Sequence, residues 1–383
     1  MAEASRRRRN TQRTDLRPRD ALIVAAIALL LIFAYIKLGP YVLGNTVGFN
    51  RVAAAGAFGT STVPVAQKPK LPPLDKAAYD MKMLKLANLS TSTLAAIAST
   101  TIATSSKPKI LWPVTTAPYP KAGALLPFNR IVAYYGNFYS KGMGVLGEYP
   151  EEVMLDKLRA AVEEWEAADP STPVVPAIHY IVVTAQEAAQ KDGMYRLRMP
   201  DSQIDKALAV AAKVDGIVFI DFQVGLSTLQ QELPVYEEYL KMPNVHLGID
   251  PEFSMKTGAR PGTVIGSFDA SDINYAAQYL QRLVQENNLP PKILVVHRFT
   301  WDMVTNYRKI TPLPEVQIVM DMDGWGSKAK KIGTYVNVVA AEPVQFMGFK
   351  LFYKNDLLPP STGMFTAKEL LKLSPQPIYI QYQ

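Results

Sequence analysis

The 383-residue sequence predicts an α/β protein: a (β/α)8 barrel of the TIM type, preceded by an N-terminal transmembrane helix and a stalk. Three observations carry this prediction. An uncharged apolar run follows an arginine-rich N-terminus, and a stretch rich in Ala, Ser, Thr and Pro comes next. From Phe128 onward, short β-branched or aromatic runs alternate with helical stretches, which is typical of βα units around a parallel sheet. The runner-up fold is an open, doubly wound sheet.

Residues 1–20 form a basic tail, and residues 21–43 are predicted to be a signal-anchor helix. The run ALIVAAIALLLIFAYI, at residues 21–36, would extend about 24 Å as a helix, close to the thickness of a bilayer core. Because seven arginines precede it, we expect a single-pass protein of the cell membrane with a cytoplasmic N-terminus and an extracytoplasmic C-terminal domain. A cleaved signal peptide is the alternative, but the small-residue site Ala53-Ala54-Ala55 lies well beyond the apolar run.

Composition limits the classes of function. The first 20 residues, with seven arginines against three acidic residues, supply more than half of the net charge of +7. The excess of basic residues therefore mainly indicates the orientation of the chain in the membrane, and we predict no nucleic-acid partner. The chain has no cysteine, which excludes thiol catalysis, zinc–thiolate sites and iron–sulfur clusters. The sequence does not indicate an oligomeric state.

Residues 44–127 are predicted to form a stalk with one short helix near residues 77–86, because this part of the sequence shows no sustained amphipathic period. Residues 128–383 form the predicted barrel domain, whose size of about 255 residues suits eight βα units. The eight predicted strands cover residues 131–136, 174–182, 216–221, 245–250, 292–297, 316–321, 345–352 and 377–381. A helix is expected after Pro150, another around the stripe from Ile273 to Val284, and a weaker one over residues 301–309.

Polar side chains cluster where the predicted strands end. In a barrel, these positions point into the mouth that holds active sites. The strand ends supply Tyr135 and Asn137, Asp221 and Gln223, Asp250 and Glu252, His297 and Phe299, Asp321 and Asp323, Lys350 and Phe352, and Gln381. A single strand end carrying Asp could simply meet solvent, but carboxylates on three strands in a common register favour a site.

Asp250-Pro251-Glu252 is the most informative element, because two carboxylates at one strand end should raise the pKa of one of them. A carboxyl group that stays protonated near neutrality can act as a general acid on a glycosidic oxygen. Asp221 or Asp321 could supply the second carboxylate, as nucleophile or as the base that activates water. The predicted catalytic residues are therefore Glu252, Asp250, Asp221 and Asp321.

These motifs carry a resemblance to a known family. The opening strand Val132-Ala133-Tyr134-Tyr135-Gly136-Asn137, together with Asp-x-Glu at strand 4, resembles (β/α)8 glycoside hydrolases of the chitinase and lysozyme type. The segment from Asp215 to Gln223, DGIVFIDFQ, resembles the strand signature of family 18 chitinases, but Gln223 stands where that signature has Glu. The resemblance implies Glu252 as proton donor with Asp250 as its helper, acting on polysaccharide of the cell envelope or outside the cell.

Aromatic and polar side chains near the mouth fit sugar binding, because flat rings can stack on the apolar faces of pyranoses. The predicted substrate-binding residues are Tyr135, Asn137, Gln223, His297, Trp301, Asp323, Trp325 and Lys350.

Two alternatives stay open. Gln223 is consistent with a non-catalytic barrel that binds a glycan or an envelope partner. His179, His246 and His297 are the only histidines and form no metal motif, so the sequence predicts no metal site and no cofactor. A metal-dependent hydrolase, with His297 and Asp250, Asp321 or Asp323 as ligands of one divalent ion, is the second alternative.

Overall fold

The structure is a computed structural model that describes residues 71, 73–89, 112–114 and 117–383. The basic tail, the predicted signal-anchor at residues 21–43 and most of the predicted stalk lie outside the described residues. In the described part of the chain, no helix is both long enough and apolar enough to span a bilayer.

Eight parallel strands form a closed barrel. They are β1 (Arg130–Gly136), β2 (Val174–Ala185), β3 (Ile217–Phe222), β4 (Val245–Ile249), β5 (Lys292–Arg298), β6 (Val316–Met322), β7 (Phe346–Leu351) and β8 (Tyr379–Tyr382). Each strand pairs with the next along the chain, and β8 pairs with β1. The predicted barrel is confirmed over the open sheet, because an open sheet would leave β1 and β8 as edges.

The strand bounds differ little from those expected. β2 continues to Ala185 because its last three residues also pair antiparallel with a short strand, Arg196–Arg198. No α-helix forms over residues 301–309: Val304–Thr305 pairs with Phe268–Asp269 as a two-stranded parallel sheet, and the 3-10 turn Tyr307–Lys309 follows. Asn306, in the left-handed region at φ 57°, separates these two pieces and prevents a continuous helix.

Helices cover the outside of the barrel and several of its loops. The α-helices are α1 (Lys76–Ala87), α2 (Val145–Glu148), α3 (Glu151–Ala168), α4 (Asp201–Ala212), α5 (Leu229–Glu232), α6 (Glu237–Leu240), α7 (Ala270–Asn287), α8 (Lys328–Thr334) and α9 (Ala367–Leu370). Four 3-10 turns, Leu233–Tyr236, Pro251–Phe253, Tyr307–Lys309 and Asn355–Leu357, and one π-helical turn, Tyr335–Val339, complete the elements.

The two longest helices begin where local chemistry stabilises a helix start. α3 follows Pro150 and places Glu151 and Glu152 in its first turn, where carboxylates interact well with the helix dipole. α7 begins with a capping box in which Asp269 and Asp272 satisfy each other's backbone amides. Each helix buries one apolar stripe against the strands.

Helix α1 lies where a short helix was expected, but it packs on the barrel. Leu86 O accepts from Gln376 N at 2.7 Å, and Ala87 O accepts from Ser374 Oγ at 2.6 Å. Lys85 Nζ also lies 2.6 Å from Asp169 Oδ1. The stalk boundary drawn at residue 127 therefore separates α1 from a domain with which it shares a hydrophobic core.

Strand register places a polar layer inside the barrel, one level below its mouth. Tyr135 pairs with His179, Asp221 with Gly248, His297 with Asp321, and Gly348 with Tyr379. Barrel interiors are more often filled by Val, Ile and Leu. The two glycines make room, because a Cβ at Gly348 would lie 2.5 Å from Asp321 Oδ1.

Candidate active site

A cavity of about 650 Å³ opens at the carboxyl ends of the strands. Its volume is within the range of small-molecule sites. Seven of the residues predicted from the sequence line it: Tyr135, Gln223, Asp250, Glu252, Asp323, Trp325 and Lys350. The structure therefore brings together side chains from five strand ends that are far apart in the chain.

Glu252 is placed by a short turn rather than by the strand itself. β4 ends at Ile249, and Asp250 caps the 3-10 turn that follows by accepting from the Glu252 amide at 3.1 Å. Gly266 N donates to Glu252 O at 2.7 Å and holds the other side of the turn. Pro251 fixes φ inside the turn, so the motif Asp250-Pro251-Glu252 presents both carboxyl groups to the cavity.

The Glu252 carboxyl group is suited to proton transfer. Its pKa is raised to about 7, first by burial and then by the negative charge of Asp323, while Lys350 and His297 oppose the shift. Among the described residues, no donor hydrogen-bonds to its carboxylate oxygens. Glu252 can therefore hold a proton near neutral pH and release it to a bound molecule.

Asp250 is held by Gln223. Gln223 Oε1 accepts from Ala185 N at 3.2 Å, and its Nε2 donates to Asp250 Oδ2 at 3.2 Å. Burial raises the pKa of Asp250 well above its ordinary value, and the nearby charges of Glu252 and Asp221 add to the shift, against the effect of His297. Asp250 therefore positions the turn that carries Glu252 through hydrogen bonds to both of its carboxyl oxygens.

Asp323 is the ionised carboxylate of the cavity wall. Lys350 Nζ lies 2.9 Å from its Oδ1, and His297 Nδ1 lies 3.2 Å from its Oδ2. Burial alone would raise the pKa of Asp323, but Lys350 and His297 outweigh it and lower that pKa. Lys350 also stands 3.9 Å above the ring of Tyr135, a cation–π contact that fixes its direction.

Below the cavity, four fully buried side chains form a layer that contacts Tyr135 of the cavity wall: His179, Asp221, His297 and Asp321. His179 Nε2 and His297 Nε2 each lie 3.5 Å from Asp221 Oδ1, and Tyr135 Oη donates to Asp221 Oδ2 at 2.9 Å. On its other side, His297 Nδ1 lies 3.4 Å from Asp321 Oδ2.

Burial acts on the pKa of every member of this layer. It would raise the pKa of Asp221, but the two imidazoles outweigh it and lower that pKa. The pKa of His297 is raised, because Asp221 and the other carboxylates outweigh the burial that would lower it. The pKa of His179 is lowered to about 4 by burial, and burial raises the pKa of Asp321.

Five predicted site residues do not line the cavity. Asp221, Asp321 and His297 are fully buried beneath it, and their predicted roles require a contact with substrate that this depth does not provide. Asn137 is buried and donates to Ile181 O at 3.0 Å and to Tyr180 Oη at 3.2 Å, so it holds the loop after β1. Trp301 is 48% exposed but lies outside the cavity wall.

Other residues of the site were not assigned from the sequence. The cavity wall also includes Phe253, Phe299, Lys330, Phe352, Asn355 and Gln383. His179, in the buried layer, contacts Tyr379 and Gln381, and Gln381 Nε2 donates to Tyr379 Oη at 2.8 Å. Phe299 and Phe352 were noted from the sequence at the ends of two strands, by alternation along the strand, but no role in the site was assigned to them. Lys330 and Asn355 come from a helix and a turn, and no strand pattern reaches them.

Comparisons with known proteins identify no family. No known protein family and no curated protein matches the sequence. Among solved structures, the chain is similar to the cellulase Cel5C_n (13% identity, TM-score 0.33, covering 58% of this chain and 65% of that one). It is also similar to a mutant form of Thermotoga maritima Cel5A in complex with cellobiose (10%, 0.36, 67% and 88%) and to a ruminal GH26 endo-β-1,4-mannanase (11%, 0.31, 67% and 59%).

The weak resemblance to (β/α)8 glycoside hydrolases is thus also found among solved structures. The similarity covers less than two thirds of the cellulase Cel5C_n and of the mannanase. At TM-scores below 0.5 it has no bearing on activity, and the barrel itself is established by its strand pairing.

Proposed function

We propose that this protein is a glycoside hydrolase that acts on polysaccharide by carboxylate catalysis, with Glu252 as the proton donor. One observation carries the proposal: Glu252 lines a cavity of suitable size with a pKa raised to about 7. A general acid works best when its pKa is near the working pH. Protonated Glu252 donates its proton to the glycosidic oxygen as the bond to the anomeric carbon breaks.

Asp323 supplies the second carboxylate of the proposal, in place of Asp221 and Asp321. It lines the cavity, and Lys350 and His297 keep it ionised. An ionised carboxylate on the cavity wall stabilises the positive charge that develops at the anomeric carbon, as nucleophile or through an activated water. In the proposal, Asp250 positions the turn that presents Glu252, because it accepts hydrogen bonds from the Glu252 amide and from Gln223.

Trp325 provides the aromatic face of the proposed sugar site. Its side chain lines the cavity while 49% exposed, and Lys330 Nζ lies 4.9 Å from the ring centroid. An exposed indole that is held on one side by a cation leaves its other face for a pyranose ring.

The proposal also includes a place in the cell. The arginine-rich tail and the apolar run at residues 21–36 support a single-pass anchor with the barrel outside the cytoplasm, where polysaccharide of the envelope is the accessible substrate. Protease added to intact cells should remove the barrel and leave the N-terminal tail protected. Full protection of the barrel would contradict this orientation.

The test of catalysis is Glu252→Gln, assayed with a panel of envelope and extracellular polysaccharides for release of reducing ends. We expect wild type to release product and Glu252→Gln to lose at least a thousandfold in turnover while staying folded. Glu238→Gln is the matched control, since the Glu238 side chain is 84% exposed and outside the cavity. Retention of wild-type turnover by Glu252→Gln would refute the assignment.

Gln223 favours a second candidate function, a barrel that binds glycan without cleaving it. It stands at a position where the resembled chitinase signature has an acidic residue, and it hydrogen-bonds to Asp250 in the cavity wall. If wild type and Glu252→Gln bind the same polysaccharide equally well and neither releases product from any member of the panel, the binding function is supported instead.

A further inference from the structure

The buried layer beneath the cavity has a geometry that neither candidate function uses. Its ligand-type atoms are His179 Nε2, His297 Nε2 and Asp221 Oδ1, which lie within 4.8 Å of one another on residues that are 0% exposed. We propose that these three side chains bind one divalent transition-metal ion, of the class of Zn²⁺, inside the barrel. This proposal does not rest on the proposed hydrolase activity.

Distances favour ion binding over hydrogen bonding. Each imidazole Nε2 lies 3.5 Å from Asp221 Oδ1, beyond the usual N–H···O range of about 2.7–3.2 Å. Two ligands that each lie about 2.1 Å from a tetrahedral ion are about 3.4 Å apart, which is close to the separation seen here. These three atoms are buried, and among the described residues they have no hydrogen-bond partner. Buried polar atoms without a partner are rare, so this group of three requires an explanation.

The second polar atom is hydrogen-bonded elsewhere in two of the three proposed ligands, His179 and Asp221, and in His297 it lies near a carboxylate. His179 Nδ1 lies 2.5 Å from Tyr379 Oη, His297 Nδ1 faces Asp323 Oδ2 at 3.2 Å, and Asp221 Oδ2 accepts from Tyr135 at 2.9 Å. Metal-binding histidines usually direct their other ring nitrogen to such a partner, which fixes the ring and leaves one nitrogen for the ion. The three remaining atoms here lie within 4.8 Å of one another.

Gly248 keeps the space beside these atoms clear. A Cβ at this position would lie 2.4 Å from Asp221 Oδ1 and 2.4 Å from His179 Nε2, two of the three ligand atoms. Gly248 pairs with Asp221 in the β3–β4 register, so any side chain there would project into the cluster.

Charge also favours a cation. Asp221 supplies a carboxylate among the three ligands, and carboxylate oxygens of Asp321 and Asp323 lie 3.4 Å and 3.2 Å from His297 Nδ1. Nitrogen and carboxylate ligands suit Zn²⁺ and its neighbours in the first transition series more than they suit Mg²⁺ or Ca²⁺. The sequence did not predict this set, because its members come from three different strands without motif spacing.

The experiment measures ion binding and not activity. Purified protein is treated with chelator, dialysed and titrated with Zn²⁺ by calorimetry, and its Tm is measured with and without Zn²⁺. We expect one equivalent to bind, with a rise in Tm of about 5 °C at a hundredfold excess over Kd. Co²⁺ in place of Zn²⁺ should give visible d–d absorption. His179→Gln and Asp221→Asn should lose the stoichiometric binding, the shift in Tm and the absorption.

His246→Gln is the matched control, because His246 is a buried barrel histidine outside the cluster, whose Nδ1 accepts from Ile293 N at 3.0 Å. It should bind Zn²⁺ as wild type does. If Asp221→Asn fails to fold, Gly248→Ala serves as a second variant, since its methyl group displaces two ligand atoms. Lack of stoichiometric Zn²⁺ and Co²⁺ binding by folded wild type would overturn the proposal, and so would equal binding by His179→Gln.

Discussion

A buried ion pair connects two loops that border the cavity. Lys331 Nζ of α8 lies 2.6 Å from Asp356 Oδ2 in the turn after β7, and both side chains are 1% exposed. Lys331 also donates to Lys350 O at 2.8 Å, and Asp356 accepts from the backbone amides of Gly326 at 3.0 Å and Phe352 at 2.9 Å. Every charge in this pair is therefore satisfied only while both loops stay in place.

Lys331→Met keeps the length and most of the volume of the side chain but leaves the Asp356 carboxylate buried without its cation. Breaking a buried pair from one side costs about 3–5 kcal/mol, because the remaining charge is not compensated. In a domain of more than 250 residues, each kcal/mol lowers Tm by about 2 °C, so we expect a fall of about 6–10 °C. Burial already lowers the pKa of Lys331, against the opposing effect of Asp356.

Thermal unfolding followed by circular dichroism measures this effect. Lys331→Met/Asp356→Asn removes both charges together and should recover part of the lost Tm, since no uncompensated charge is then buried. Lys213→Met is the control, because the Lys213 side chain is 45% exposed while it pairs with Glu151 and Glu152, and exposed pairs contribute about 0–1 kcal/mol. If Lys331→Met and Lys213→Met change Tm equally, the inferred role of the buried pair is wrong.

Three further predictions follow from the site. Turnover should fall as pH rises through about 7, because Glu252 then loses its proton. Because the pKa of Glu252 in the folded state is raised above 4.5, its ionisation at high pH destabilises the folded protein. Glu252→Gln should therefore have a higher Tm than wild type above pH 7 and the same Tm below pH 4.5. Trp325→Ala should raise KM or Kd for polysaccharide by about tenfold with little change in Tm, whereas Trp301→Ala, equally exposed but outside the cavity wall, should leave both unchanged. Gly248→Ala should cost about 1–3 kcal/mol in urea unfolding, because its Cβ overpacks the buried layer; a cost below 0.5 kcal/mol would contradict the close contact with Asp221.

Much of the fold could be predicted from the sequence. Buried parallel strands are short, continuous apolar runs, and the helices between them carry an apolar stripe, so the alternation of the two periods is visible without coordinates. The prediction over residues 301–309 was wrong because a strand pair, Phe268–Asp269 with Val304–Thr305, depends on a partner far away in the chain.

The candidate site was predicted less completely. Strand ends indicated which side chains lie near the mouth, and seven of the predicted residues do line the cavity. Their depth could not be predicted, because a strand end is defined locally and its height in the barrel is set by pairing. Asp221 and Asp323 both follow apolar runs, yet Asp221 is buried below the cavity and Asp323 lines it.

The sequence by itself predicted the number and order of the strands, the start of α3 after Pro150 and seven of the residues at the mouth, since each depends on local patterning. Tertiary structure decided which acidic residues line the cavity and which are buried below it. The reason is register: pairing Asp221 with Gly248 places Asp250 one level higher, beside Gln223, and pairing His297 with Asp321 places Asp323 above them both. A shift of one residue in either pair would reverse these positions, and no single strand contains that information.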